Sequence, residues 1–178
     1  MRAPIDAARL RRVMNALGAA ARGEGTVYLT GGATAVLVGW RTSTVDVDLK
    51  LDPEPPGIFE AIARLKDELD VNIELAAPDQ FIPPLPEWKR HSPQIAQVGE
   101  VTFRHYDPRA QALAKLERGH ARDLVDVEAM LDRGLVDPRE LLEQFELIEP
   151  GLARYPAIDA PSYRAAVLAF LARRGVRA

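Results

Sequence analysis

The stretch "TVDVDLKL", residues 44–51, limits the fold more than any other part of the chain. Val45, Val47 and Leu49 alternate with polar residues, a period of two that only an extended strand converts into one apolar and one polar face. The polar set includes Asp46 and Asp48. Aspartate is a poor strand former, and carboxylates at i and i+2 share one face about 7 Å apart. Left unneutralised, such a pair repels and weakens the strand. Two readings follow: a half-exposed strand whose acids are solvated by water, or a strand face that gathers oxygen ligands for a hard cation such as Mg²⁺.

The neighbouring segments bear on that choice. "TVYLT", 26–30, reads as a short buried strand running directly into Gly31 and Gly32, which open the apolar helix "GGATAVLVG". Paired glycines let backbone approach a ligand closely, and a helix start favours anions. Thr34 adds a hydroxyl. A GG pair alone is more often a tight turn. On the next apolar run, "VNIELA", Glu74 stands between Ile73 and Leu75. It is a third acid at a strand position, able to join the first two or to sit in solvent.

Composition sets the frame. The 178 residues are 47% hydrophobic and 28% charged, ordinary values for a globular protein with one sizeable core. No run of about 18 apolar residues suggests a membrane span. Arg2, Arg9, Arg11 and Arg12 lie near the N-terminus without an apolar secretory core. The amphipathic set Ile5, Leu10, Val13, Met14 and Leu17 makes this a first helix. Cytoplasmic location is the expectation. The absence of cysteine excludes disulfides, thiol catalysis and Cys-ligated zinc. The net charge of −3 conceals a polarity: residues 43–80 hold ten acids against three bases, and residues 86–122 hold seven bases, four acids and all three histidines. That pattern suits a metal-holding pole followed by a phosphate-holding one, or simply scattered surface charge.

Periodicity and punctuation predict a helix over 5–22, strands at 26–30 and 44–51, a helix over 57–69 and a strand at 71–76. A proline-rich loop follows at 78–93, then a hairpin around Gly99 within 94–107. From residue 109 only helices follow, over 109–118, 122–133, 137–148 and 161–174. The expected organisation is an α/β (α+β) catalytic core over 1–107 and a helical portion over 108–178. The loop mixes Phe81 and Trp88 with Lys89, Arg90 and His91. This composition suits a nucleobase or a single-stranded RNA end, while a buried tryptophan anchoring the loop is the commoner arrangement. Lys115, Arg118 and Arg122 share one helix face if Gly119 does not break the helix.

Taken together, Gly31-Gly32, then Asp46-x-Asp48, then Glu74 between apolar neighbours resembles the nucleotidyltransferase superfamily with its polymerase-β-like fold. "GGATAVLVGWRTSTVDVDLKL" is similar to the AbiEii/MenT-type branch, the toxins of toxin–antitoxin systems. Arg41, Thr42, Ser43 and Thr44 match that branch's arginine-then-Ser/Thr run. "ALAKLERGHARDLVDVEAML", 112–131, resembles its lysine-bearing helix and its Arg-Asp-x-x-Asp helix, with Lys115, Arg122, Asp123 and Asp126 at the matching positions.

The resemblance implies a Mg²⁺-dependent transfer of NMP from an NTP to a hydroxyl acceptor, RNA and specifically a tRNA 3′ end being favoured, with a cognate antitoxin as a further partner. It implies metal binding by Asp46, Asp48 and Glu74, the last alternatively aiding deprotonation. Gly31, Gly32, Thr34, Arg41 and Lys115 would hold the nucleotide, and Lys115 and Asp123 would join the catalytic set. Position 32 departs from the familiar serine, which leaves Thr34 or backbone N–H groups to contact that phosphate. The alternatives are transfer to a protein or small molecule, and a non-catalytic nucleotide-binding or antitoxin-like module.

Overall fold

The computed structural model describes residues 3–177; Arg2 of the N-terminal arginine set lies outside the described residues. The chain separates into two compact units. One comprises the chain up to Ala77 together with Ser92–Tyr106. The other comprises Pro78–His91 together with the chain from Asp107 onward. The proline-rich segment therefore groups with the helices and not with the sheet that precedes it.

The first unit is a mixed α/β arrangement. Its elements are α1 (Ala7–Ala20), β1 (Gly25–Thr30), α2 (Gly31–Val38), β2 (Asp46–Leu51), α3 (Ile58–Glu68), β3 (Asn72–Leu75), β4 (Gln94–Val98) and β5 (Val101–His105). The five strands lie in the order β3-β2-β1-β5-β4. β1 is antiparallel to β2 and parallel to β5, β2 is parallel to β3, and β4 is antiparallel to β5.

Local chemistry accounts for the element ends. The Asp6 carboxylate accepts from the Arg9 N–H at 2.8 Å and caps α1. Gly39, at φ +101°, closes α2 in the left-handed region that glycine adopts without strain. Val45 is 57% exposed and precedes β2, so the strand begins two residues later than the 44–51 expected from the alternation.

One face of the sheet is apolar. Val27 and Leu29 of β1, Val47 and Leu49 of β2, Ile73 of β3, and Val101 and Phe103 of β5 are buried. They share one core with Leu10, Val13 and Leu17 of α1, Ala33 and Val36 of α2, and Ile58, Ile62 and Leu65 of α3. The alternation then dictates the opposite face: Asp46, Asp48 and Lys50 of β2 with Asn72 and Glu74 of β3. Fully burying one such aliphatic side chain is worth about 1.5–3 kcal/mol. A slip of β2 by one residue would expose Val47 and Leu49 and drive both aspartates into the apolar layer, so the core fixes where the acids point.

The second unit consists of α4 (Pro108–Arg118), α5 (Ala121–Asp132), α6 (Pro138–Ile148) and α7 (Ala160–Ala172), with 3₁₀ turns at Pro78–Gln80 and Glu149–Arg154. α4 and α6 begin alike, with an aspartate cap followed by proline at the first helical position. Gly119, at φ +68°, ends α4. Arg122 therefore lies on α5, and the expected single face of Lys115, Arg118 and Arg122 does not form. Phe145 and Tyr163 meet edge-on at 4.9 Å in the core of this unit, and the Tyr163 hydroxyl donates to the Leu113 carbonyl at 2.9 Å. Among the described residues no helix is long and apolar enough to cross a membrane.

Candidate functional site

Asp46 and Asp48 project from the same face of β2, as their spacing requires, and both are partly exposed. The parallel register with β3 sets Asp46 opposite Asn72 and Asp48 opposite Glu74, while the antiparallel register with β1 sets Asp48 opposite Thr30. The three acids expected from the sequence therefore lie on neighbouring strands of one polar face. Asn72 lies among them. Its Nδ2 is 2.7 Å from Asp46 Oδ1 and 2.7 Å from Glu74 Oε1. Asn72 was not among the sequence candidates, although its place two residues before Glu74 on a strand puts it on the same face.

The glycine turn adjoins the acids. Gly31 follows Thr30 directly and has φ +59°. A Cβ built there would lie 3.1 Å from Asp48 Oδ2, so both backbone conformation and the neighbouring carboxylate call for glycine. Gly32 is constrained differently. A Cβ there would fall on Thr44 Oγ1 and come within 2.8 Å of Thr44 Cβ, with Arg41 Nη1 3.7 Å away. Thr44 thus fills the space that a serine at position 32 would need. Its hydroxyl donates to the Asp46 carbonyl at 3.1 Å, and its backbone forms a bridge with Ile5. Gly31, Gly32, Arg41, Thr44, Asp46 and Asp48 form a contiguous group at the start of α2 and β2.

Thr34 is directed elsewhere. Two residues beyond Gly32 its side chain has turned about 200° around the helix. It is buried, and its hydroxyl donates to the Leu29 carbonyl at 3.3 Å. His105 Nδ1 lies 3.1 Å from the same oxygen. The His105 tautomer sets which of the two donates in that contact. Burial lowers the His105 pKa from 6.5 to about 4, which keeps the ring neutral. The Thr34 hydroxyl, expected to contact a phosphate, is thus bonded within the fold to Leu29 and His105.

Lys115 and Asp123 belong to a buried ion cluster within the helical unit. Lys115 Nζ lies 2.7 Å from Asp126 Oδ2 and 3.3 Å from Asp123 Oδ1. Arg118 Nε also donates to Asp123, at 2.7 Å. Burial pushes the Asp123 carboxyl upward, but the bonds and charge of Arg118 and the charge of Lys115 outweigh it and hold the carboxyl below its ordinary range. A second buried pair, Arg109 with Asp107, extends to Glu140 at 2.7 Å. In the proline-rich segment Ile82 and Leu85 are the buried anchors. Trp88 is only partly buried with Lys89 Nζ 5.7 Å from its ring centroid, and Phe81 is 55% exposed.

The donor set on the sheet face is all oxygen, which suits a hard divalent cation. Mg²⁺ is commonly held by one or two carboxylates, with water and phosphate completing the shell. Asp46 and Asp48 supply that number. Among the described residues no group of three or more histidines and acids is gathered so as to hold a metal by itself. Comparison with protein-family models, with curated proteins and with solved structures finds no match to this chain.

Proposed function

We propose that this chain is a nucleotidyltransferase of polymerase-β-like fold that moves NMP from an NTP to a hydroxyl acceptor, RNA foremost, as the toxin of a toxin–antitoxin pair. One observation carries the reading: Asp46 and Asp48 share a strand face whose next strand presents Glu74 in register, beside a glycine turn that Asp48 directly abuts. A strand does not keep a like-charged pair for stability, and the helix start beside it favours an anionic ligand through its backbone N–H groups.

In this reading Asp46 and Asp48 hold Mg²⁺, which when bound offsets charge on the attacking and leaving oxygens. Gly31 and Gly32 offer the phosphates the backbone N–H groups at the start of α2, and Arg41 adds a cation beside Gly32. The acceptor oxygen forms a bond to the α-phosphorus as the α–β bridging bond breaks. Pyrophosphate leaves with the electron pair, and Glu74 takes the hydroxyl proton. The RNA preference draws on the partly exposed Trp88 with Lys89 over its ring and on the exposed Phe81, stacking surfaces beside cations.

Incubating the purified chain with each labelled NTP, Mg²⁺ and total RNA tests the proposal. Label transferred to RNA, with pyrophosphate released, is expected. Label on the protein fraction alone would replace RNA with a protein acceptor. No transfer from any NTP with either Mg²⁺ or Mn²⁺ would overturn the reaction class. Growth arrest on expression, relieved by the product of an adjacent gene, tests the toxin role separately.

A further inference from the structure

Asn72 is absent from the roles above, yet its side chain bridges two of the acids. We propose that it is a positioning residue: its amide clamps Asp46 and Glu74 across the β2–β3 seam, so that the two carboxylates act as one oriented set. The inference rests on the nucleotidyltransferase reading for its kinetic consequences, but its geometry stands on the strand register alone.

Register first places the residue. Asn72 is opposite Asp46 in the parallel pair and two residues before Glu74 on the same strand face, so its side chain reaches both. Chemistry then fixes which end of the amide meets them. An amide oxygen between two carboxylates would add repulsion, whereas an NH₂ group has two protons to donate. The two 2.7 Å contacts are both to Nδ2, one to Asp46 Oδ1 and one to Glu74 Oε1. Each is a charge-assisted bond, shorter and stronger than a neutral one. One nitrogen bonded to both oxygens keeps them no more than 5.4 Å apart, the sum of the two contacts.

An aspartate at the same position would have the same shape and no proton to give. An alanine would leave the carboxylates to repel and rotate. Outer-shell hydrogen bonds of this type typically govern metal affinity or activity by roughly 10–100-fold when removed. A clamp differs from a generic sheet contact in what it controls. It should affect the cation affinity of the free protein and kcat, while leaving the NTP KM, set by the glycine turn and Arg41, near its starting value.

The test uses the full chain and Asn72→Ala, with Asn72→Gln as the variant that retains the amide on a longer stem. Mn²⁺ binding to nucleotide-free protein is measured by calorimetry, kcat and KM by labelled transfer, and folding by thermal melting. A roughly tenfold or larger loss of Mn²⁺ affinity and of kcat in Asn72→Ala, with KM held within about twofold and partial recovery in Asn72→Gln, is the expected result. Unchanged Mn²⁺ affinity and kcat per folded molecule, whatever the melting temperature does, would overturn the clamp. If Asn72→Ala fails to fold, Asn72→Gln and Asn72→Ser decide by the same two readouts. Should the wild-type chain transfer nothing yet bind Mn²⁺ in an Asn72-dependent way, the clamp stands and the reaction class falls. Should the wild-type chain transfer NMP and Asn72→Ala do so at the same rate, the reaction class stands and the clamp falls.

Discussion

Replacing Lys115 with methionine should destabilise the protein by about 3–5 kcal/mol, the cost of removing one partner from a buried ion pair. The structure selects that figure over the roughly 0–1 kcal/mol of a surface pair. The Lys115 side chain is 7% exposed and those of Asp123 and Asp126 are 3% and 1% exposed. Methionine preserves the length and packing of the stem, so the change removes charge and little volume. Arg118 still serves Asp123, whereas Asp126 loses an ammonium at 2.7 Å.

Urea unfolding of wild type, Lys115→Met and Lys115→Met/Asp126→Leu measures the effect. The double variant should recover most of the loss, because a buried pair replaced by apolar residues is often neutral. A single variant within about 1 kcal/mol of wild type, or a double no better than the single, would refute the buried-charge argument. The stable double variant also separates folding from chemistry. A KM for NTP raised roughly tenfold or more, about 1.4 kcal/mol, would give Lys115 the nucleotide role that the family resemblance implies. An unchanged KM would confine it to the ion cluster.

Three other outcomes are expected. Asp46→Ala and Asp48→Ala should each abolish transfer while leaving the melting temperature within a few degrees of wild type, since relief of like-charge repulsion worth about 0.2–1 kcal/mol offsets the loss of a part-exposed hydrogen bond such as that from Asn72 to Asp46; normal turnover at saturating Mg²⁺ in either would remove the metal assignment. Gly32→Ser should cost about 1–3 kcal/mol through its collision with Thr44, and Thr44→Gly in the same chain should restore stability; a serine tolerated without that second change would contradict the packing. His105 gives a pH dependence of definite sign. With its pKa lowered to about 4, the unfolded chain binds a proton between pH 6.5 and 4 that the folded chain refuses. Its contribution, up to about 3 kcal/mol, is complete above pH 6.5, declines on acidification and levels off below pH 4. His105→Gln should flatten that part of the urea-midpoint profile, and an identical profile in wild type and variant would show that the ring is not desolvated.

What was legible in the sequence was whatever repeats at short range. The period of two in "TVDVDLKL" marked β2 and placed Asp46 and Asp48 on one face. The glycines at 39 and 99 marked the end of α2 and the β4–β5 turn, and the helices expected from 109 and 137 are α4 and α6, each opened in the structure by an Asp-Pro pair. Asn72 was recoverable by the same rule, as the i−2 neighbour of Glu74. Thr44 was not. Its role depends on meeting Gly32 across twelve residues of chain, and nothing in either segment records that contact. Gly119 was ambiguous because a glycine inside a helical pattern either is tolerated or ends the helix, and only its positive φ decides.

The acid cluster shows how these two kinds of information combine. Neither Asp48 nor Glu74 specifies the other. Val47, Leu49 and Ile73 do, because burying all three against α1, α2 and α3 admits one alternation of β2 and one of β3. With both alternations fixed, the parallel register leaves Asp48 beside Glu74 and Asp46 beside Asn72. The apolar residues thus assemble a site they do not touch. A core substitution that shifted β3 by one residue would turn Asn72 and Glu74 toward the apolar layer and dismantle the polar face without altering any of its side chains.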